Sequence, residues 1–97
     1  MTRTEILKLL SDHREEFASR FSVSSLALFG SVARDEAKDG SDIDILVGFT
    51  ETPGLFKFLE LKAHLENLCR CPVDLVTHNA LKKQLREGIL KEAVDAI

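Results

Sequence analysis

Asp42 and Asp44 stand two residues apart at the entry to an apolar run, Ile43 to Val47, twelve residues after the pair Gly30-Ser31. If that run is a strand, both carboxylates project to the same side, roughly 6.5–7 Å apart. Two ionised groups at that range repel by about 2.5 kcal/mol at an effective dielectric near 20. Without a cation, one of them should hold a proton more tightly; a divalent ion between them lets both stay ionised. All-oxygen donors select hard ions such as Mg²⁺, which keeps several waters and completes its shell with substrate phosphates. The Gly-Ser pair supplies the complementary half. Glycine lets a ligand approach the backbone, a following helix aims free N–H groups at an anion, and Ser31 adds a hydroxyl donor. Asp74, alone in the apolar stretch PVDLVT, is a third acid in an unexpected place. Any one of these aspartates alone reads more simply as a turn residue or an exposed strand charge. Three together beside a Gly-Ser junction read as a site. An EF-hand is excluded, because apolar residues run straight through Ile45, Leu46 and Val47 where its alternating ligands and glycine belong.

Positioning these residues requires a definite order of elements. Thr2 and Glu5 have capping-box spacing, and Ile6, Leu9, Leu10 and Phe17 form a helical stripe that predicts a first helix ending near Ser19 or Arg20. The run ended by Gly30 predicts a buried strand from about Ser25 to Phe29. SVARDEAK predicts a two-turn helix, closed by the turn signal Asp39-Gly40-Ser41. IDILVGF predicts a second strand, with Ile43, Ile45 and Val47 on one face and Asp42, Asp44 and Leu46 on the other. LFKFLELKAHLENLC predicts an amphipathic helix, and PVDLVT a third strand with Val73 and Leu75 opposite Asp74 and Val76. The remainder, from an Asn79 N-cap to Ile97, reads as helical, with a bend or break at Gly88 that costs about 1 kcal/mol relative to alanine. The expected fold class is α/β (α+β), a small mixed sheet of three or more strands flanked by helices.

Composition narrows the function. With 97 residues the chain suits one domain, residues 1–97, and its 44% hydrophobic and 30% charged content is that of a globular protein. A net charge of −3 disfavours nucleic acid as the main partner. The absence of a long apolar run argues against a membrane span, and early charges argue against a secretory signal, so a cytoplasmic location is expected. Cys69 and Cys71 are too close for an unstrained bridge, and reduced thiols are expected. His64, Cys69, Cys71 and His78 are zinc-capable but match no zinc-module spacing. All three histidines, His13 included, are expected at the surface or in packing.

The pattern Gly30, Ser31, Ala33, Arg34, then Ser41, Asp42, Asp44, resembles the minimal nucleotidyltransferases of the DNA polymerase beta-like superfamily. The similarity continues through PVDLVT and LREGILKEAV, and so covers nearly the whole chain. It implies a nucleotidyltransferase palm-like fold in which Asp42, Asp44 and Asp74 are catalytic and hold Mg²⁺, two ions by family analogy. Gly30 and Ser31 would hold the β- and γ-phosphates of ATP, with Arg34 and Ser41 as further nucleotide contacts. Asp74 would help deprotonate the acceptor. The resemblance further implies an antitoxin that moves AMP onto a hydroxyl, a tyrosine, of a partner HEPN ribonuclease toxin. Two alternatives stay open: a catalytically quiet antitoxin that neutralises its partner by binding, and transfer to a small molecule or RNA. The nucleobase and any self-association into a homo-oligomer also stay open. Asp35 departs from the pattern, since many relatives carry glycine after the arginine; an acid facing the phosphates there would weaken nucleotide binding.

Overall fold

A computed structural model describes residues 2–36, 42–81 and 83–97. Its elements are α1 (Arg3–Asp12), α2 (Arg14–Phe21), β1 (Val23–Phe29), α3 (Gly30–Ala33), β2 (Ile43–Phe49), α4 (Leu55–Cys69), β3 (Val73–Thr77), a 3₁₀ turn (His78–Ala80), α5 (Lys83–Glu92) and β4 (Val94–Asp95). The strands form one sheet in the order β3-β2-β1-β4. β1 is antiparallel to both β2 and β4, whereas β2 and β3 run parallel across the α4 crossover. The expected mixed sheet flanked by helices is present, with a fourth strand that the periodicity did not indicate.

One face of the sheet carries the core. Leu26, Leu28, Ile45 and Val47 meet Ile6 and Leu10 of α1, Phe17 and Phe21 of α2, and Leu61 and Leu65 of α4. Each fully buried Leu, Ile or Phe contributes about 1.5–3 kcal/mol relative to exposure, so this face fixes the register of β2 and with it the side to which Asp44 points. Leu46, on the acid-bearing face, is only 2% exposed, so that face too is covered beyond the carboxylates.

The first helix starts as expected: Thr2 Oγ1 accepts from Glu5 N–H, and Glu5 Oε1 accepts from Thr2 N–H, each at 3.2 Å. It does not run unbroken to Arg20. His13 Nδ1 donates to Leu9 O at 2.8 Å, taking the carbonyl that its own backbone N–H would use, and that N–H turns to Leu10 O instead. A side chain competing with the helix ladder in this way divides the segment into α1 and α2.

The helix after Gly30 is also shorter than the two turns expected. Asp35 adopts a left-handed conformation, φ +60°. Glu36 N–H then bonds Ser31 O at 2.9 Å and Asp35 N–H bonds Val32 O at 3.1 Å, the paired hydrogen bonds of a Schellman stop. Asp35 occupies the position where such a stop favours glycine, and it is exposed to solvent. The predicted turn Asp39-Gly40-Ser41 lies outside the described residues.

The C-terminal segment departs furthest from its pattern. Asn79 sits inside the 3₁₀ turn rather than capping a helix, and Thr77 Oγ1 caps that turn by accepting from Ala80 N–H at 3.3 Å. α5 passes through Gly88 without a break and stops at Glu92. Val94 and Asp95 then pair with Leu28 and Ala27, and the N–H groups of Ala96 and Ile97 both reach Leu26 O. A free edge of β1 offers hydrogen bonds that a helix end cannot match, and the apolar Val94, Ala96 and Ile97 pack on the core from there.

Candidate active site

Two neighbouring strands bring Asp44 and Asp74 into one row, and β1 brings the residue before Gly30 beside it. In the β1–β2 ladder Asp44 lies opposite Phe29, the residue before Gly30, and in the β2–β3 ladder it lies opposite Asp74. Asp42 immediately precedes β2, and the next residue's N–H, that of Ile43, bonds Pro72 O at 3.0 Å, tying the entries of β2 and β3 together. Asp42 and Asp74 are exposed, whereas Asp44 is half-buried.

Gly30 is constrained twice. Its φ is +69°, where a Cβ is disfavoured, and a Cβ built there would collide with Oδ2 of Asp44. The backbone that opens α3 is therefore pressed against the central carboxylate, with half-buried Ser31 next to it. The first N–H groups of a helical turn have no partner within the helix, which leaves those of α3 available beside the acids. Ser41 lies outside the described residues.

The electrostatics match the crowding anticipated from spacing. Burial raises the Asp44 carboxyl above its ordinary value, the charges of Asp74 and Asp42 raise it further, and a hydrogen bond to the Asp74 side chain favours the protonated form. Arg34 opposes this with its positive charge. Arg34 itself is paired: Nε donates to Glu36 Oε2 at 3.2 Å and Nη1 to Glu92 Oε2 at 3.1 Å. Neither glutamate was indicated by sequence reasoning. Glu92 is 58 residues from its partner, and Glu36, at i+2, does not share a helix face with it.

The donor set is oxygen only. Among the described residues no group of three His, Cys, Asp or Glu side chains is close enough together to hold a metal ion unaided. Such a group is what Ca²⁺ or structural Zn²⁺ demands, whereas Mg²⁺ is held by one or two carboxylates, waters and substrate phosphates. Asp44 with one neighbouring carboxylate, Asp74 or Asp42, is a donor set of the kind Mg²⁺ takes when waters and substrate phosphates complete its shell. The zinc-capable set does not form a site: His64 pairs with Glu16 and packs on Phe17 and Phe21. Both thiols are free, with burial pushing that of Cys69 up to about 11.

A concavity also lies away from the acids. A groove of about 570 Å³ at the far end of β2 is lined by residues that include Ser25, Gly48, Phe58, Thr77, His78 and Asn79. Gly48 is four residues beyond Asp44, roughly 13 Å along the strand. Among the described residues no Asp, Glu, Lys or Arg lines the groove, and His78 is its one titratable side chain, so it lacks the carboxylates that hold Mg²⁺ and the arginine or lysine cations that bind phosphate. Chemistry favours the acid row over this groove.

A nucleotidyltransferase domain model matches residues 10–96. The chain belongs to the nucleotidyltransferase domain family. It is 45% identical over 94 residues to the protein adenylyltransferase MntA of Thermococcus cleftensis, an alignment spanning 97% of this chain and 95% of that protein. A solved structure described as a minimal nucleotidyltransferase superposes with a TM-score of 0.80 at 37% identity, covering 97% of this chain and 95% of its own. A toxin-antitoxin crystal structure with AMP-PNP matches at a TM-score of 0.71 and 25% identity, over 100% of this chain and 73% of its own. As a nucleotidyltransferase, the chain has the palm-like fold that the motif resemblance implied. Among the described residues, no helix is long and apolar enough to cross a membrane.

Proposed function

We propose that this nucleotidyltransferase moves AMP from ATP to a hydroxyl of a partner protein, in the cytoplasm, and so acts as the antitoxin of a toxin–antitoxin pair. The observation that carries the reading is the register of Asp44 with Asp74 on one side and with the Phe29–Gly30 junction on the other. Support for a protein acceptor comes from the relative named a protein adenylyltransferase, and support for a toxin partner from the toxin-antitoxin neighbour bound to AMP-PNP. The motif resemblance narrows the acceptor to a tyrosine of a HEPN ribonuclease.

In the proposed reaction the acceptor oxygen attacks the α-phosphorus, the bond from that phosphorus to the bridging oxygen breaks, and pyrophosphate leaves. Asp42, Asp44 and Asp74 would hold Mg²⁺. The bound metal supplies charge stabilisation at the attacking and leaving oxygens. Gly30 and Ser31 bind the β- and γ-phosphates through backbone N–H groups and the serine hydroxyl, and Arg34 contributes a cation on the same side. Asp74, at the exposed edge of the row, takes the acceptor's proton.

The test is mass spectrometry of the partner after incubation with the chain, ATP and Mg²⁺. A gain of one or more adenylyl groups is expected with the unaltered chain and none with Asp42→Asn or Asp44→Asn. A tight complex with no mass gain under any nucleoside triphosphate would mean that the chain neutralises by contact alone.

A further inference from the structure

We infer that Glu92, at the end of α5, is a positioning residue that holds Arg34 in place for the β- and γ-phosphates of the nucleotide. The inference rests on the nucleotide reading above and adds to it a residue from outside the motif. Arg34 caps the C-terminal end of α3, four residues after Gly30. Its backbone is fixed by the Schellman stop and by Arg3, whose Nη1 donates to the neighbouring Ala33 O at 2.9 Å. The side chain is another matter, since an arginine carries several rotatable bonds and binds phosphate well only when its planar fork is oriented.

Two carboxylates orient it. Glu36 belongs to the same short loop, with its side chain 65% exposed, so it ties the guanidinium only to its own segment. Glu92 comes from a different element and holds Nη1 at 3.1 Å. Its own place is set because α5 ends there and the chain passes directly into β4, which is hydrogen-bonded to β1, the strand leading into Gly30. Glu92, Arg34 and Gly30 are thereby referred to one strand. With Nε and one hydrogen of Nη1 engaged, the second hydrogen of Nη1 and both hydrogens of Nη2 are left for an anion.

The experiment is calorimetric binding of Mg²⁺-ATP, and separately of AMP, to the full chain carrying Glu92→Gln, Arg34→Gln or both, with Glu92→Asp as the conservative control. Glu92→Gln should weaken Mg²⁺-ATP by about tenfold, the low end of what an orienting partner contributes behind a ligand-binding group. AMP, lacking the outer phosphates, should be unaffected. The double variant should bind no worse than Arg34→Gln alone, since Glu92 acts only through Arg34, and Glu92→Asp should recover most of the affinity. Unchanged Mg²⁺-ATP binding in Glu92→Gln, an equal loss for AMP, or losses that simply add in the double variant would overturn the inference and leave the proposed function standing. If the unaltered chain binds no Mg²⁺-ATP, the nucleotide reading fails and the inference with it.

Discussion

Asp44 is the residue on which the site turns. Its carboxyl is raised by burial first, and then by the charges of Asp74 and Asp42, so in the free protein it holds its proton to higher pH than in an unfolded chain. Between the unfolded and folded values the native state binds the extra proton. The stability associated with Asp44 is therefore complete below the ordinary aspartate range and is lost as pH rises through the raised value. Asp44→Asn removes that loss while keeping a donor toward Asp74. Thermal unfolding of the free chain should show the variant melting above the unaltered protein at neutral pH, with the difference vanishing below about pH 4. An advantage that persisted at low pH would point to packing. If Asp44 holds the metal as proposed, the same substitution should also lower nucleotidyl transfer by at least ~100-fold, because both the bound Mg²⁺-nucleotide and the charge stabilisation it supplies would be lost.

The short helix α3 sets the distance between the Gly30–Ser31 backbone, proposed to bind phosphate, and the acids, and left-handed residues stand at its start and just past its end. Gly30→Ala imposes about 1–2 kcal/mol for the positive φ and adds a collision with Asp44 Oδ2. Chemical denaturation should show a loss of ~2 kcal/mol or more, partly relieved when Asp44→Ala removes the colliding carboxylate, without return of activity. At the other end, Asp35→Gly should raise stability by about 0.5–1 kcal/mol, because the Schellman position favours glycine, and should leave nucleotide affinity unchanged. A marked gain in affinity would mean that the Asp35 charge acts on the phosphates. Alternation in IDILVGF and PVDLVT was enough to place Asp44 and Asp74 on strands, and the capping box at Thr2 was legible because it is local. The break at His13, the stop at Asp35 and the strand Val94–Asp95 were not. Each depends on a competition for a carbonyl or a sheet edge, which hydrophobic periodicity does not register. The Arg34–Glu92 pair was illegible for a related reason, since only the return of the chain along β1 brings those residues together.

At the level of the whole molecule, the fold concentrates acidic side chains at one end of the sheet, while among the described residues no Asp, Glu, Lys or Arg lines the groove at the other end. A protein of net charge −3 that must bind a polyanion needs a counter-ion at the point of contact. The parallel β2–β3 pair, made possible by the α4 crossover, brings the third acid beside the motif pair, and the antiparallel β1 brings the Gly-Ser backbone to the same row. Magnesium and the triphosphate are then expected to bind as one unit. Equilibrium titration of a non-hydrolysable ATP analogue, with Mg²⁺ and with a chelator, on the unaltered chain and on Asp44→Asn, tests this most directly. The predicted result is saturable binding that requires both Mg²⁺ and Asp44. Equal binding in chelator, or undiminished Mg²⁺-dependent binding to Asp44→Asn, would contradict it.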